Sequence, residues 1–224
     1  ETVTDEAIDR EIAEDAARFD VDIDAAKKVI NGIVLHSVEG YRYAEARAVI
    51  DATGDAIVSD LCGVDYWQAG RDTPGIMPPT LCSALGNIDF SRFDRKAQQE
   101  PLEAAVDAGF FSQPDKHFPG VFQTGATTAI LNAGHLFHTD AVDTRSLTEA
   151  MIKGRKLGLE YVEFCRQYLD GCENVEYIGT APLLGVRESR RIKGEYTLNY
   201  DDYVARREFT DQIAIYSKQV DIHP

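Results

Sequence analysis

The stretch SLTEAMIKGRKLGLEYVEFCRQYLDG, residues 146–171, constrains the chain more than any other. Ala150, Leu157, Tyr161, Phe164 and Leu169 recur at helical spacing among charged residues, so the stretch reads as a long amphipathic helix with one apolar face. Ser146 with Glu149 fits a capping box at its start, and Gly171 fits the stop. Gly154 and Gly158, four apart on one side, predict close packing against another element. Charged residues surround that glycine pair, which excludes a membrane-helix dimer.

The remaining periodicity is mixed. Ile8, Ile12 and Ala16 predict an amphipathic helix over residues 5–18, whose many acids form a solvated face. KKVINGIVLHS and YRYAEARAVIDAT predict a hairpin turning at Gly40, with its second strand running to Thr53. GDAIVSDLCGV predicts a short helix closing at Gly63, and Pro101 to Ala108 another stopped near Gly109. TLCSALGNI reads as a strand between two proline-rich connections, RDTPGIMPPT and SQPDKHFPGVFQTGATT. Strand-like runs follow the long helix at VEYIGTAPLL, RRIKGEYTL and QIAIYSKQVDI.

Composition narrows the function classes. At 224 residues the chain can bury a sizeable core, and its 44% hydrophobic content is ordinary for a globular protein. A net charge of −15 argues against phosphate-backbone binding, so no nucleic acid is expected. Neither a membrane span nor a signal peptide is legible. Cys62, Cys82, Cys165 and Cys172 match no zinc or redox spacing, so reduced thiols and a cytoplasmic location are expected.

The run AVIDATGDA, residues 48–56, carries the first chemical signal. A strand ending in Ala-Thr-Gly brings backbone close to a ligand, because Gly54 has no Cβ, and Asp55 adds an acceptor. The same residues also make an ordinary turn. ARAVIDATGDA followed by CGV resembles the second flavin motif of FAD-dependent oxidoreductases with a glutathione-reductase-like dinucleotide fold. TAPLLGVRESRRIKGEYTLNYDDY resembles a second signature, from a bacterial family of such enzymes loosely related to fumarate-reductase-type flavoproteins. The long helix lies between the two in the same order, and the resemblance runs from Lys28 onward.

That resemblance implies an α+β chain: part of an FAD/NAD(P)-binding (dinucleotide) fold over residues 1–64, then a mixed β-rich substrate domain over 65–224 with the long helix. It implies FAD as cofactor, approached by Ala52, Thr53, Gly54 and Asp55, and hydride transfer to or from a small-molecule substrate. Such flavoproteins cradle the pyrophosphate with Gly-x-Gly-x-x-Gly, a spacing absent from these 224 residues. The expectation is an internal fragment of a longer flavoenzyme, inactive by itself, with self-association of the whole enzyme left open.

Arg187, Arg190 and Arg191 concentrate guanidinium groups in an acidic protein. A helix would set all three on one face; an extended segment would set Arg187 and Arg191 on the side of Ser189. Their forks suit a carboxylate or phosphate, which assigns them to an anionic substrate group. The competing assignment pairs them with Glu188, Glu195 and other acids. His135, His138 and Asp140 in GHLFHTD could be read as metal ligands, but the spacing is loose and no metal is assigned. Trp67 beside Tyr66 reads as packing. No catalytic acid or base stands out among 38 acidic residues, and the alternative function is a non-catalytic acidic protein-interaction domain that has lost cofactor binding.

Overall fold

The computed structural model describes residues 22–24, 29–73 and 75–221. The helix expected over residues 5–18 lies outside them. In chain order the elements are β1 (Asp22–Asp24), β2 (Val29–Ser37), β3 (Gly40–Glu45), α1 (Ile57–Leu61), β4 (Tyr66–Gln68), β5 (Ser83–Gly86) and α2 (Gln99–Asp107). There follow β6 (Gly120–Gln123), β7 (Ala129–Asn132), α3 (Thr144–Tyr168), β8 (Glu176–Thr180), β9 (Arg190–Ile192) and α4 (Tyr200–Ala205). The chain divides into two compact units, residues 1–67 with 190–215, and residues 68–189 with 216–224.

In the first unit β1, β2 and β3 form an antiparallel sheet with β2 in the middle. The hairpin turns where Ser37 faces Gly40, and Gly40 has a φ of 98°, which only glycine adopts without strain. β3 stops at Glu45, so the strand expected to reach Thr53 is cut short. A strand persists only while a neighbour takes its ladder bonds, and among the described residues nothing pairs with residues 46–53. α1 closes at Gly63 in the left-handed region, as its sequence requires. β4 and β9 pair as a two-stranded ribbon.

The second unit is built on an antiparallel sheet of order β6-β7-β5-β8, with α3 beside it. The mixture of helix and strand is α+β, and both larger sheets are antiparallel. α3 begins three residues earlier than the Ser146 box predicts. Its N-cap is Asp143, whose carboxylate accepts the Ser146 N–H at 2.6 Å, while Ser146 Oγ accepts the Asp140 N–H at 2.9 Å. Ser146 thus supplies the third-position donor and braces the preceding loop. α3 ends at Tyr168 with an extended C-cap at Leu169, two residues before the Gly171 expected as its stop. Gly171, with φ of 81°, turns the chain after the helix; a Cβ there would strike the Asp89 carbonyl, and the Asp89 N–H donates to the Gly171 carbonyl at 2.8 Å.

The buried face of α3 includes Ala150, Gly154, Leu157, Gly158, Tyr161, Phe164 and Cys165. A Cβ on Gly154 would lie 2.8 Å from Leu81 Cβ, and one on Gly158 would lie 2.9 Å from Ser83 Oγ. The paired glycines therefore set how closely the helix approaches β5 and the residues leading into it. Leu85, Leu102, Val121, Leu131, Tyr161 and Phe164 fill the core behind this contact. α2 ends before Gly109, which has a φ of 74°. QIAIYSKQVDI forms no strand over its described residues 212–221, where Ile213 and Ile215 are exposed and no ladder partner is present.

Two substitutions separate packing from polarity at this contact. Ser83 Oγ is buried and has no hydrogen-bond partner among the described residues. Ser83→Ala removes an unsatisfied polar group and stabilises by about 1 kcal/mol. Gly154→Ala destabilises by about 1–3 kcal/mol, because overpacking against Leu81 outweighs alanine's better helix propensity. Thermal or urea unfolding reads both; a more stable Gly154→Ala variant would refute the close-approach argument.

Candidate functional site

The first unit positions Ala52 to Asp55 through Asp51. Asp51 Oδ1 accepts the Thr53 N–H at 3.1 Å and the Thr53 hydroxyl at 2.8 Å. Asp51 Oδ2 accepts the Ser59 N–H at 2.9 Å and the Ser59 hydroxyl at 2.8 Å. Thr53 Oγ1 then accepts the Ile57 N–H at 2.9 Å, so two otherwise open donors at the start of α1 are satisfied by the turn itself. Burial works to raise the Asp51 pKa, but the Ser59 and Thr53 hydrogen bonds outweigh it and bring it to about 2. Ala52, Thr53 and Gly54 stay exposed; Gly54 has a φ of 85° and open space where a Cβ would stand.

Arg190 completes this turn from β9. Its guanidinium pairs with Asp60 at 2.8 Å, donates to the Asp55 carbonyl at 3.2 Å and lies 5.3 Å from the Tyr66 ring centroid. Its Nε is buried without a hydrogen-bond partner among the described residues. Sequence reasoning sent Asp55 to a cofactor and Arg190 to a substrate; the fold brings the two together. Trp67 lies under the Lys193 ammonium, 5.2 Å away, and Arg191 is exposed.

The second unit holds a cavity of about 500 Å³ lined by Gln99, Lys116, His117, Phe118, Asn132, Arg187, Lys218 and Asp221. Arg187 pairs there with Asp221 at 2.9 Å, and Lys116 pairs with Asp107 at 2.6 Å. Glu188, expected as an arginine partner, instead accepts the Met77 N–H at 2.8 Å.

Behind His117 lies a cluster that sequence reasoning missed. Buried Asp115 accepts the His117 N–H at 2.9 Å and the His135 N–H at 3.2 Å, and lies 3.2 Å from His135 Nδ1. The two imidazoles stack at 4.8 Å with a 15° interplanar angle. Burial pushes the Asp115 carboxyl upward, yet the hydrogen bonds from His135 and His117 hold it below the usual carboxylate value. Only the local Asp115–His117 turn spacing hinted at this in the sequence; His135 arrives from 20 residues away. His138, exposed with φ of 62°, does not join His135, and the described residues contain no metal-binding group of His, Cys, Asp or Glu. All four cysteines are free thiols; burial pushes Cys172 up to about 11. No helix among the described residues is long and apolar enough to cross a membrane.

A model of the family described as FAD dependent oxidoreductase matches residues 2–224. The chain belongs to that family. Comparison with curated proteins found no match, and comparison with solved structures found none either. Membership in the FAD-dependent oxidoreductases makes FAD the cofactor. The Ala52–Asp55 turn fits a contact with it: small side chains, exposed backbone, and a positive-φ glycine facing open space.

Each organising carboxylate has its own test. Asp51→Ala leaves the Ser59 and Thr53 donors without their acceptor and costs about 1–2 kcal/mol, reduced by solvent at this partly exposed site. The parent contribution is complete above the ordinary carboxylate value of 3.8 and is lost as pH falls toward about 2. Denaturant unfolding across that window reads both effects. Asp115→Asn destabilises by about 1–3 kcal/mol at neutral pH. It also flattens the acid limb, because the lowered native pKa stabilises the parent only above the carboxylate range. An acid limb identical to the parent's would remove Asp115 from this role.

Proposed function

We propose that this oxidoreductase transfers a hydride between FAD and an anionic small molecule that Arg187 orients. Bound FAD supplies the hydride acceptor or donor at its isoalloxazine ring. The turn at Ala52–Asp55 approaches the cofactor, and Arg190 fixes that turn through Asp60 and the Asp55 carbonyl. Of the three arginines flagged in the sequence, Arg187 alone lines the cavity. Its guanidinium neutralises and orients the anion, and Lys116 and Lys218 add positive charge. The His117 imidazole lines the same cavity and can donate a hydrogen bond to the anion. The observation that carries this reading is a cationic cavity in a chain of net charge −15, with an arginine fork already engaged by a carboxylate.

The test begins with the visible spectrum of the purified protein and the mass of its released chromophore. Flavin absorbance with released FAD, bleached anaerobically by a carboxylate-bearing substrate, is the expected result. Arg187→Ala then raises KM about tenfold or more, the scale of one lost charge-assisted pair, while FAD content stays constant. A colourless protein that takes up no FAD, or an unchanged KM, overturns the proposal.

A further inference from the structure

Residues 216–224 belong to the second unit, although residues 190–215 before them belong to the first. This returning segment brings Lys218 and Asp221 to the cavity that Arg187 lines. Its described residues carry neither helix nor strand, so side-chain contacts such as Asp221 with Arg187 hold it in place.

We propose that the cavity is a carboxylate-binding site whose resident occupant is the side chain of Asp221, displaceable by the carboxylate of a small-molecule ligand. The proposal rests on the assignment of Arg187 to an anion made above, and adds the chemical class and a built-in competitor. The Arg187–Asp221 distance of 2.9 Å already realises guanidinium–carboxylate recognition at this position. The two side chains are 39% and 47% exposed, so water reaches both partners. Such solvated pairs shift equilibria by only about fivefold or less, which keeps Asp221 exchangeable.

The surrounding groups favour an anion as replacement. Asn132 Oδ1 is taken by the Cys82 thiol at 3.7 Å, leaving the amide NH2 as its donor. Lys116 keeps its charge near the site while its ammonium is tethered to Asp107. The volume of about 500 Å³ far exceeds one carboxylate and falls within the range of metabolite pockets. The volume suits a carboxylic acid with a carbon skeleton better than a lone inorganic ion.

An NMR titration of the full chain tests this without reference to flavin. The probes are malonate, malonamide as the uncharged control, and inorganic phosphate as the rival anion. Malonate is expected to shift the amide resonances of Lys116, His117, Arg187 and Asp221, and malonamide to leave them in place. Asp221→Asn removes the competitor and tightens malonate binding about two- to fivefold. Arg187→Gln weakens it about tenfold or more. Should Arg187→Gln lose its dispersed spectrum, Arg187→Lys, which keeps the charge and loses the fork, is read in its place. Equal affinity in parent and Asp221→Asn overturns the resident-occupant claim; tighter binding of phosphate than malonate overturns the carboxylate class. Malonate binding by a protein that takes up no FAD leaves this proposal standing and defeats only the oxidoreductase proposal above.

Discussion

The close approach of α3 to the strand region beside it governs the second unit. Two glycines make it: Gly154 against Leu81 and Gly158 against Ser83. A side chain at either would lift the helix and with it Tyr161 and Phe164. Tyr161 packs against Phe111 at 4.6 Å in a tilted arrangement and stacks on Phe118 at 5.8 Å, and Gly134 approaches its ring so closely that a Cβ would stand 3.0 Å away. Phe118 is a wall of the cavity, and Gly134 precedes His135. The geometry of the cationic cavity and its histidine stack is thus inherited from a backbone contact made on the far side of an aromatic cluster.

The acidity of the chain has a structural use that composition conceals. Asp51 serves Ser59 and Thr53, Asp89 serves Ser91, and Asp94 serves Lys96. Asp115 serves His117 and His135, Asp140 serves Val142, and Asp143 serves Ser146. In every case a carboxylate accepts a backbone N–H that a regular ladder does not take. Long connections leave many such donors open, and aspartate is short enough to reach most of them within its own turn. These aspartates therefore hold loops in addition to contributing charge.

Elements whose cause is local were legible in the sequence. The hairpin at Gly40, the stops at Gly63 and Gly109, and the paired glycines of α3 each follow from what a few adjacent residues can adopt. The end of β3 was not legible, because β propensity continues through Val49 and Ile50 while the ladder partner does not. The capping residue of α3 was missed for a related reason: Ser146 has the right chemistry, but Asp143 three residues earlier takes its N–H. The Asp115–His135 pair joins positions 20 apart, and Arg190 joins a carbonyl 135 residues away, beyond any periodicity. The acids nearest the arginines in sequence, Glu188 and Glu195, had looked like their natural partners. Asp60 and Asp221 take that role.

Arg187 and Arg190, three residues apart, show what decides whether a guanidinium is structural or available. Arg190 is 15% exposed, and its contacts with Asp60, the Asp55 carbonyl and the Tyr66 ring all lie within one unit. Pulling it toward a ligand would strand a half-buried aspartate and abandon a carbonyl, a cost that grows with desolvation. Arg187 is 39% exposed, and its partner Asp221 sits in a segment without regular secondary structure. Exchanging that partner for another carboxylate preserves the charge balance of the pair, and water reaches both side chains. Residue type is identical and sequence distance is trivial, so the difference in availability comes from solvent access and from the partners each guanidinium holds.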